Sequence, residues 1–280
     1  MTINTAGSTW KKWDLHVHSP ASVVHGYDGA NSEEAWENFL SDLERLPSDF
    51  KVIGINDYIF VDGYERVLKE KAAGRLKNID LFLPVIELRL DKFAGTVKKD
   101  VDGTFSKSDW NRINLHIVFD QLDPDLIRQQ FLAGLVQCYD LIPESSHFQG
   151  RWQAMITQES LRRLGEMIIE SVPEALRGAY GNPLQEGFNN LCVSLEKVLA
   201  ALNRHDLTDR YLLAVGKTEW ENMKWTDQSI AEKKHVINHV DMVFTAAENP
   251  AAYAKAKAGL EASNVNAKLL DCSDAHALSN

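Results

Sequence analysis

The chain has 280 residues, 44% of them hydrophobic and 25% charged, with a formal net charge of −10 at pH 7. This composition suits a globular domain with a large core, and the acidic balance lacks the broad basic surface used in sequence-independent nucleic-acid binding. No apolar run approaches the roughly 18 residues of a membrane span, and the N-terminus does not read as a signal peptide. We therefore expect a cytoplasmic protein with no membrane partner. The cysteines Cys138, Cys192 and Cys272 are too far apart to suggest a disulfide framework or a thiolate zinc site.

Short β-rich runs alternate with longer helical segments, a pattern typical of βα units around a parallel sheet. The seven runs are Lys12–Val17, Val52–Asn56, Leu81–Leu88, Ile113–Phe119, Tyr211–Gly216, Asp241–Thr245 and Lys268–Cys272. Helices are predicted after a cap at Asn31 or Ser32 and near Gly63–Ala73, Asp125–Tyr139, Gln158–Ser171, Leu191–Asn203, Gln228–His239 and Pro250–Ser263. Gly95–Gly103 reads as a polar hairpin or loop. We expect one α/β barrel domain over residues 1–280, with a helical insertion at about 121–209 between the fourth and fifth strands.

Polar residues recur on these otherwise apolar strands. Alternation along the first strand places Asp14, His16 and His18 on one face, and barrel strands converge on one mouth at their C-terminal ends. The other strands contribute Asn56 and Asp57, Glu87, Asn114 and His116, and Asp271, Asp274 and His276. One such residue alone is more often a hydrogen-bonded core group. Together, imidazoles and carboxylates are a donor set that suits Zn²⁺, Mn²⁺ or Fe²⁺, so the sequence predicts a metal site.

The order HVH, GIND, VIE, NLH and SDAH resembles the PHP (polymerase and histidinol phosphatase) superfamily over nearly the whole chain. The resemblance implies a distorted (β/α)7 barrel with two or three divalent metal ions that hydrolyses phosphate esters. The stretches GSTWKKWDLHVHSPAS, GINDYIFVDGY and VFTAAENP are similar to a narrower group, the N-terminal PHP domain of TrlF-like ATPase proteins. In that group an ATPase region follows, so we expect a fragment or shortened relative, with an ATPase domain or subunit as partner.

The resemblance implies a set of metal ligands: His16, His18, His25, Glu87, His116, Asp274 and His276. Within that set, His16, His18, Glu87 and Asp274 would hold one ion, and Glu87 would bridge to a second ion that His116 also binds. His25 and His276 would hold a third ion. The resemblance therefore predicts a site whose ions share one bridging carboxylate.

The catalytic residues expected beside the metals are Asp57 or His276 for proton transfer and Lys217 for contact with a substrate phosphate. Two departures from the family pattern leave the metal count open between one and three. Tyr58 stands where the family has a histidine after Asp57, and the fifth strand ends in Gly216-Lys217-Thr218-Glu219 where a histidine is often found. Glu219 and His147 are alternative donors.

The leading hypothesis is a phosphodiesterase or nuclease that acts on DNA or RNA through a metal-activated water. A phosphomonoesterase of a small molecule and a degenerate barrel acting as a binding or regulatory module are the alternatives. An amidohydrolase also begins with a first-strand HxH, but the SDAH at the last strand fits the PHP pattern better. A P-loop at Gly216 lacks its first glycine, and the helical pair in HVINH has Val236 where a zincin needs glutamate.

Overall fold

The computed structural model describes residues 11–29, 31–93, 98–99, 105–106, 112–141, 150–216 and 230–277. The strands are β1 Lys12–Val17, β2 Phe50–Asn56, β3 Leu81–Phe93, β4 Lys98–Lys99, β5 Phe105–Ser106, β6 Arg112–Phe119, β7 Gln137–Leu141, β8 Gly150–Ala154, β9 Tyr211–Val215, β10 Met242–Thr245 and β11 Leu269–Asp271. The helices are α1 Glu33–Arg45, α2 Asp62–Ala72, α3 Pro124–Leu126, α4 Gln158–Ser171, α5 Glu174–Arg177, α6 Pro183–Asn190, α7 Leu195–Leu202, α8 Ile230–His239 and α9 Pro250–Ala262. Within these ranges no helix combines the length and hydrophobicity needed to cross a bilayer.

A seven-stranded sheet in the order β1-β2-β3-β6-β9-β10-β11 forms a nearly closed barrel. Its strands are the seven predicted β-rich runs, which confirms the α/β class. The edges approach each other where Val17 pairs with Ala275, and the His18 N–H donates to the Ala275 carbonyl at 2.9 Å. This contact brings the end of β1 next to the segment that follows β11.

The prediction of a parallel sheet is wrong at β6. The β1–β2, β2–β3, β9–β10 and β10–β11 pairs are parallel, whereas β6 runs antiparallel to both β3 and β9. A parallel neighbour requires a crossover of a dozen or more residues, usually helical. The described chain between β3 and β6 instead contains the short antiparallel pair β4–β5, so the chain turns back on itself. The barrel is therefore mixed.

The insertion between β6 and β9 is only partly helical. The helix predicted at Asp125–Tyr139 is instead the short α3, a π turn at Ile127–Phe131 and a 3₁₀ turn at Leu132–Gly134, after which β7 and β8 form a hairpin. Burial alternates along β7, with Gln137 buried and Cys138 exposed, which is a strand period that the helical reading overlooked. The prediction at Gln158–Ser171 is confirmed as α4. Helices α5 and α6 were not predicted.

Helix α1 begins where the sequence predicted. The Ala35 N–H donates to Ser32 Oγ at 3.2 Å, and two glutamates occupy the first turn, where the helix dipole favours negative charge. Its buried face, which includes Trp36 and Leu40, packs in a core cluster with residues of β1 and β2. The largest cluster joins barrel residues such as Ile86 to insertion residues such as Leu161 and Phe188.

Two glycines let α4 and α6 approach each other closely. A Cβ atom added at Gly165 would overlap the carbonyl oxygen of Pro183, and one at Gly187 would overlap the carbonyl oxygen of Leu161. The glycines therefore set the position of α6, which carries Phe188 to the barrel.

We predict that Gly165→Ala lowers the free energy of unfolding by about 1–3 kcal/mol, because the methyl group forces the two helices apart. The matched control is Gly259→Ala in α9, where no heavy atom lies within 4 Å of the added Cβ. Better helix propensity should leave that variant unchanged or stabilise it by up to about 1 kcal/mol. Denaturant unfolding measures both, and equal effects would contradict the close helix contact.

Candidate metal centre

Histidines and carboxylates from four parts of the barrel converge at one point. His16 lies in β1 and His18 directly follows it, while Glu87 in β3 is the register partner of His116 in β6. Asp274 follows β11. The three histidines and Glu87 are between 0% and 6% exposed, whereas the Asp274 side chain is 43% exposed. The cluster is therefore closed on the barrel side and open at Asp274.

The ligand atoms form two overlapping groups that can hold a metal ion, His16–Glu87–His116 and His16–His18–Asp274. In the first group, Glu87 Oε2 lies 3.4 Å from the Nε2 atoms of both His16 and His116. In the second, His16 Nε2 lies 3.2 Å from His18 Nε2 and 3.2 Å from Asp274 Oδ1. Two ligands about 2.1 Å from one tetrahedral ion are about 3.4 Å apart. The observed spacings therefore fit ligands that share an ion.

His116 supports this interpretation because its ring is buried without hydrogen bonds. Neither Nδ1 nor Nε2 has a hydrogen-bond partner among the described residues, and the residue is 0% exposed. An unsatisfied buried polar group costs about 1–3 kcal/mol. A cation bound at Nε2 would satisfy one of the two nitrogens, and an imidazole–carboxylate set fits Zn²⁺, Mn²⁺ or Fe²⁺.

Two amides hold the Glu87 carboxylate. Asn56 Nδ2 donates to Oε2 at 2.7 Å, and Asn114 Nδ2 donates to Oε1 at 2.6 Å. Burial opposes ionisation of this carboxyl, but the adjacent His116 and His16 outweigh burial and hold its pKa well below the usual range. Glu87 is therefore an oriented, ionised carboxylate, which is the state that metal binding requires.

The hydrogen bonds of His18 determine its tautomer. The Ser22 hydroxyl donates its one proton to the Val24 carbonyl at 3.0 Å, so it accepts from His18 Nδ1 at 3.1 Å. Burial lowers the pKa of His18 well below its usual value, so the ring is neutral. The unprotonated Nε2 then faces the cluster, as a metal ligand must.

The half-exposed Asp274 completes the second group from a left-handed backbone conformation, with φ 54°. Burial opposes ionisation of this side chain too, but the His276 hydrogen bond and His16 lower its pKa. Asp14 connects the loop to β1, since its Oδ1 accepts from the backbone N–H of His16 at 3.2 Å and of Ser273 at 3.1 Å. Asp14 thus fixes the position of the loop that carries Asp274, and Asp14 itself belongs to neither ligand group.

The end of β2 contributes a turn instead of a further ligand. Tyr58 has a left-handed φ of 59°, and its backbone N–H donates to Asn56 Oδ1 at 2.9 Å. Its carbonyl accepts from the Glu87 N–H at 2.8 Å. The buried Tyr58 ring lies 4.7 Å from both the His18 and the Phe188 rings, so an aromatic wall occupies the position where the resemblance expects a histidine.

Asp57 is buried beside this turn but belongs to neither ligand group. Its Oδ1 accepts from the Ser19 N–H at 3.2 Å and the Ser19 hydroxyl at 2.7 Å, and its Oδ2 accepts from the Gly63 N–H at 2.8 Å. Burial raises the pKa of this carboxyl to about 6. These bonds connect the loop after β1 to the start of α2, which is a structural role; the proton-transfer role predicted for Asp57 stays a prediction.

His276 lies at the exposed side of the cluster. Its Nε2 is 3.2 Å from Asp274 Oδ1, and its ring stacks on that of His18 at 3.9 Å between centroids. His25 is half-buried, its Nδ1 accepts from the Tyr27 N–H at 3.1 Å, and burial together with His276 lowers its pKa. Neither histidine belongs to the two ligand groups, so the third metal ion stays a prediction.

Several predicted residues lie outside the described part of the chain: Lys217, Glu219 and His147. The helical pair in HVINH is described and exposed, with His239 Nδ1 donating to the His235 carbonyl at 2.7 Å.

The supporting roles of Asn56, Asn114 and Ser22 do not follow from the sequence alone. Asn56 and Asn114 were visible as polar residues on apolar strands. Their partner atoms were not, because those contacts join residues 27 and 31 positions apart.

Comparison of the sequence with known protein families and with curated proteins finds no match.

Removing the central carboxylate should abolish metal binding. We expect wild-type protein to bind metal and Glu87→Gln to lose it, because a neutral amide is a poor ligand and leaves His116 without a charged partner. Elemental analysis gives the stoichiometry. Added Zn²⁺ or Mn²⁺ at 100 times Kd should stabilise wild type by about 2.7 kcal/mol and leave the variant unchanged. The exposed His239→Gln is the matched control, and metal retention in Glu87→Gln would contradict the assignment.

Removing one supporting amide should weaken the site without destroying it. Asn114→Ala leaves all proposed ligands in place but frees Glu87 Oε1, so we expect unchanged stoichiometry with about 10–100-fold lower metal affinity. Competition with a chelator measures the affinity. Wild-type affinity would show that the amide does not orient the carboxylate.

Proposed function

We propose that this protein is a metal-dependent hydrolase of phosphate esters and a member of the PHP superfamily. The observation that carries the proposal is the largely buried cluster in which His18 is neutral, Glu87 and Asp274 are ionised and neither nitrogen of His116 forms a hydrogen bond within the described chain. Neutral imidazoles and ionised carboxylates are the protonation states that bind divalent ions.

We assign four residues to one ion, as the resemblance implies, and fewer to a second. His16, His18, Glu87 and Asp274 would hold the first ion: the two histidine Nε2 atoms lie 3.2 Å apart, and each lies 3.2–3.9 Å from Glu87 Oε2 and Asp274 Oδ1. An imidazole nitrogen has a single lone pair, so His16 serves one ion only. A second ion would therefore rest on Glu87 and His116, with Glu87 as the bridge.

Divalent ions bound in this way supply charge for phosphate oxygens and lower the pKa of a bound water. The chain adds His276, whose imidazole is one-third exposed and oriented by Asp274 at 3.2 Å. An imidazole held by a carboxylate beside the site can carry a proton to a leaving oxygen. Glu87 and His116 are buried on the barrel side of the cluster, so they exclude water from that side.

Among phosphate esters we propose a phosphodiester of DNA or RNA as substrate. The support is the resemblance to the PHP domains of TrlF-like ATPase proteins, which is analogy at the level of the fold and motifs. The net charge of −10 would repel a polynucleotide, so an ATPase domain or subunit with a basic surface is the proposed partner. A small-molecule phosphomonoesterase is the rival, and the relative rates on the two ester classes separate them.

The test combines metal analysis with hydrolysis. We expect metal-loaded wild-type protein to cleave bis(p-nitrophenyl) phosphate and single-stranded or double-stranded nucleic acid faster than p-nitrophenyl phosphate, and chelation to abolish cleavage. His16→Ala/His18→Ala should reduce cleavage to background, because both residues belong to the four-ligand position. His235→Ala/His239→Ala, which removes two exposed imidazoles, should retain full activity.

Two results would contradict the proposal. One is less than about half an equivalent of transition metal per chain together with no cleavage after Mn²⁺ or Zn²⁺ addition, since a multi-ligand imidazole–carboxylate site binds such ions well. The other is equal cleavage by the His16→Ala/His18→Ala variant. Faster hydrolysis of the monoester would favour the phosphomonoesterase.

A further inference from the structure

Arg89 is a cation on the same strand face as the central ligand. It lies two residues beyond Glu87 in β3, which places the two side chains on one side of the sheet about 7 Å apart along the strand. Its register partner across β6 is Asn114, whose amide donates to Glu87 Oε1 at 2.6 Å. Arg89 therefore adjoins the cluster through Asn114.

A second set of contacts joins Arg89 to the other side of the cluster. The guanidinium carbon lies 4.2 Å from the centroid of the Phe188 ring. Phe188 lies 4.7 Å from the Tyr58 ring, and Tyr58 lies 4.7 Å from the His18 ring. The guanidinium thus sits at the edge of the aromatic wall that borders the proposed four-ligand position.

No carboxylate of the described residues pairs with Arg89. Arg66, Arg75 and Arg128 each form ion pairs with glutamates. Arg89 instead donates from Nη1 to the amide oxygen of Asn189 at 3.1 Å and forms no ion pair with any residue that the structure describes. It is half-exposed, and a guanidinium carries five N–H donors, so most of its donors are available.

We propose that Arg89 is a substrate-binding residue that forms an oxyanion subsite beside the metal cluster and contacts a non-bridging oxygen of the substrate phosphate. The subsite rests on the proposed phosphoesterase function and adds a ligand-binding residue to it. Arginine suits this task because its planar fork matches phosphate geometry and keeps its charge at any physiological pH. Phe188 and Asn189 orient the guanidinium in advance, which reduces the entropy lost on binding.

The test measures binding of inorganic phosphate to Zn²⁺- or Mn²⁺-loaded protein by isothermal titration calorimetry, which does not depend on turnover. We expect Arg89→Gln to weaken phosphate binding about 10–100-fold, the effect of removing a charged hydrogen-bond donor, with metal content unchanged. Arg89→Lys keeps the charge without the planar fork, so its phosphate affinity should lie between those of wild type and Arg89→Gln. Arg162→Gln on α4, whose guanidinium pairs with Glu159 at the surface, is the matched control and should bind phosphate like wild type.

The outcomes separate this subsite from the proposed function. If Arg89→Gln is fully loaded with metal and still binds phosphate with wild-type affinity, the Arg89 assignment is wrong and the proposed function is unaffected. Loss of metal along with phosphate in both Arg89→Gln and Arg89→Lys also overturns it, because the guanidinium would then be structural. Failure of wild-type protein to bind any transition metal overturns the proposed function, and the subsite with it.

Discussion

The buried Glu87 carboxylate is the constraint on which the rest of the site depends. Burying an ionised carboxylate costs several kcal/mol unless hydrogen bonds and opposite charge compensate. The strands on both sides of β3 supply that compensation: Asn56 lies in β2, and Asn114 and His116 lie in β6. In addition, His16 Nε2 lies 3.4 Å from Glu87 Oε2. His116 Nε2 lies 3.4 Å from Glu87 Oε2, but neither nitrogen of His116 forms a hydrogen bond within the described chain, so a divalent cation would be a suitable further partner.

Closure of the barrel brings Asp274 to His16, with Asp274 Oδ1 3.2 Å from His16 Nε2. Asp14 accepts a hydrogen bond from Ser273, and Val17 pairs with Ala275, so Asp274 is held between two contacts with β1. The insertion forms the opposite border. The glycine contacts of α4 and α6 place Phe188 against Tyr58, and Tyr58 against His18. An aromatic wall therefore stands where the family resemblance expects a further histidine, and the proposed Arg89 subsite lies at its edge.

Much of the fold could be predicted because hydrophobic periodicity is local. All seven barrel strands were recognised from runs such as Lys12–Val17, and α1 from the cap at Ser32. The antiparallel direction of β6 could not be read in this way, because strand direction depends on how the chain connects two strands. The predicted helix Asp125–Tyr139 runs into the first three residues of β7, since a few residues of strand period cannot outweigh a helical pattern that precedes them.

The sequence by itself determined which groups are available to the site: alternation put His16 and His18 on one face, and the apolar strands around Glu87 and His116 made burial of those groups unavoidable. Only the tertiary structure decided which atoms meet. The antiparallel register sets Glu87 opposite His116, the near-closure of the barrel brings Asp274 to His16, and Asp57 is drawn into bonds with Ser19 and Gly63. Metal ligation requires several atoms within a few ångströms, and residues more than 250 positions apart reach that distance only when the barrel folds.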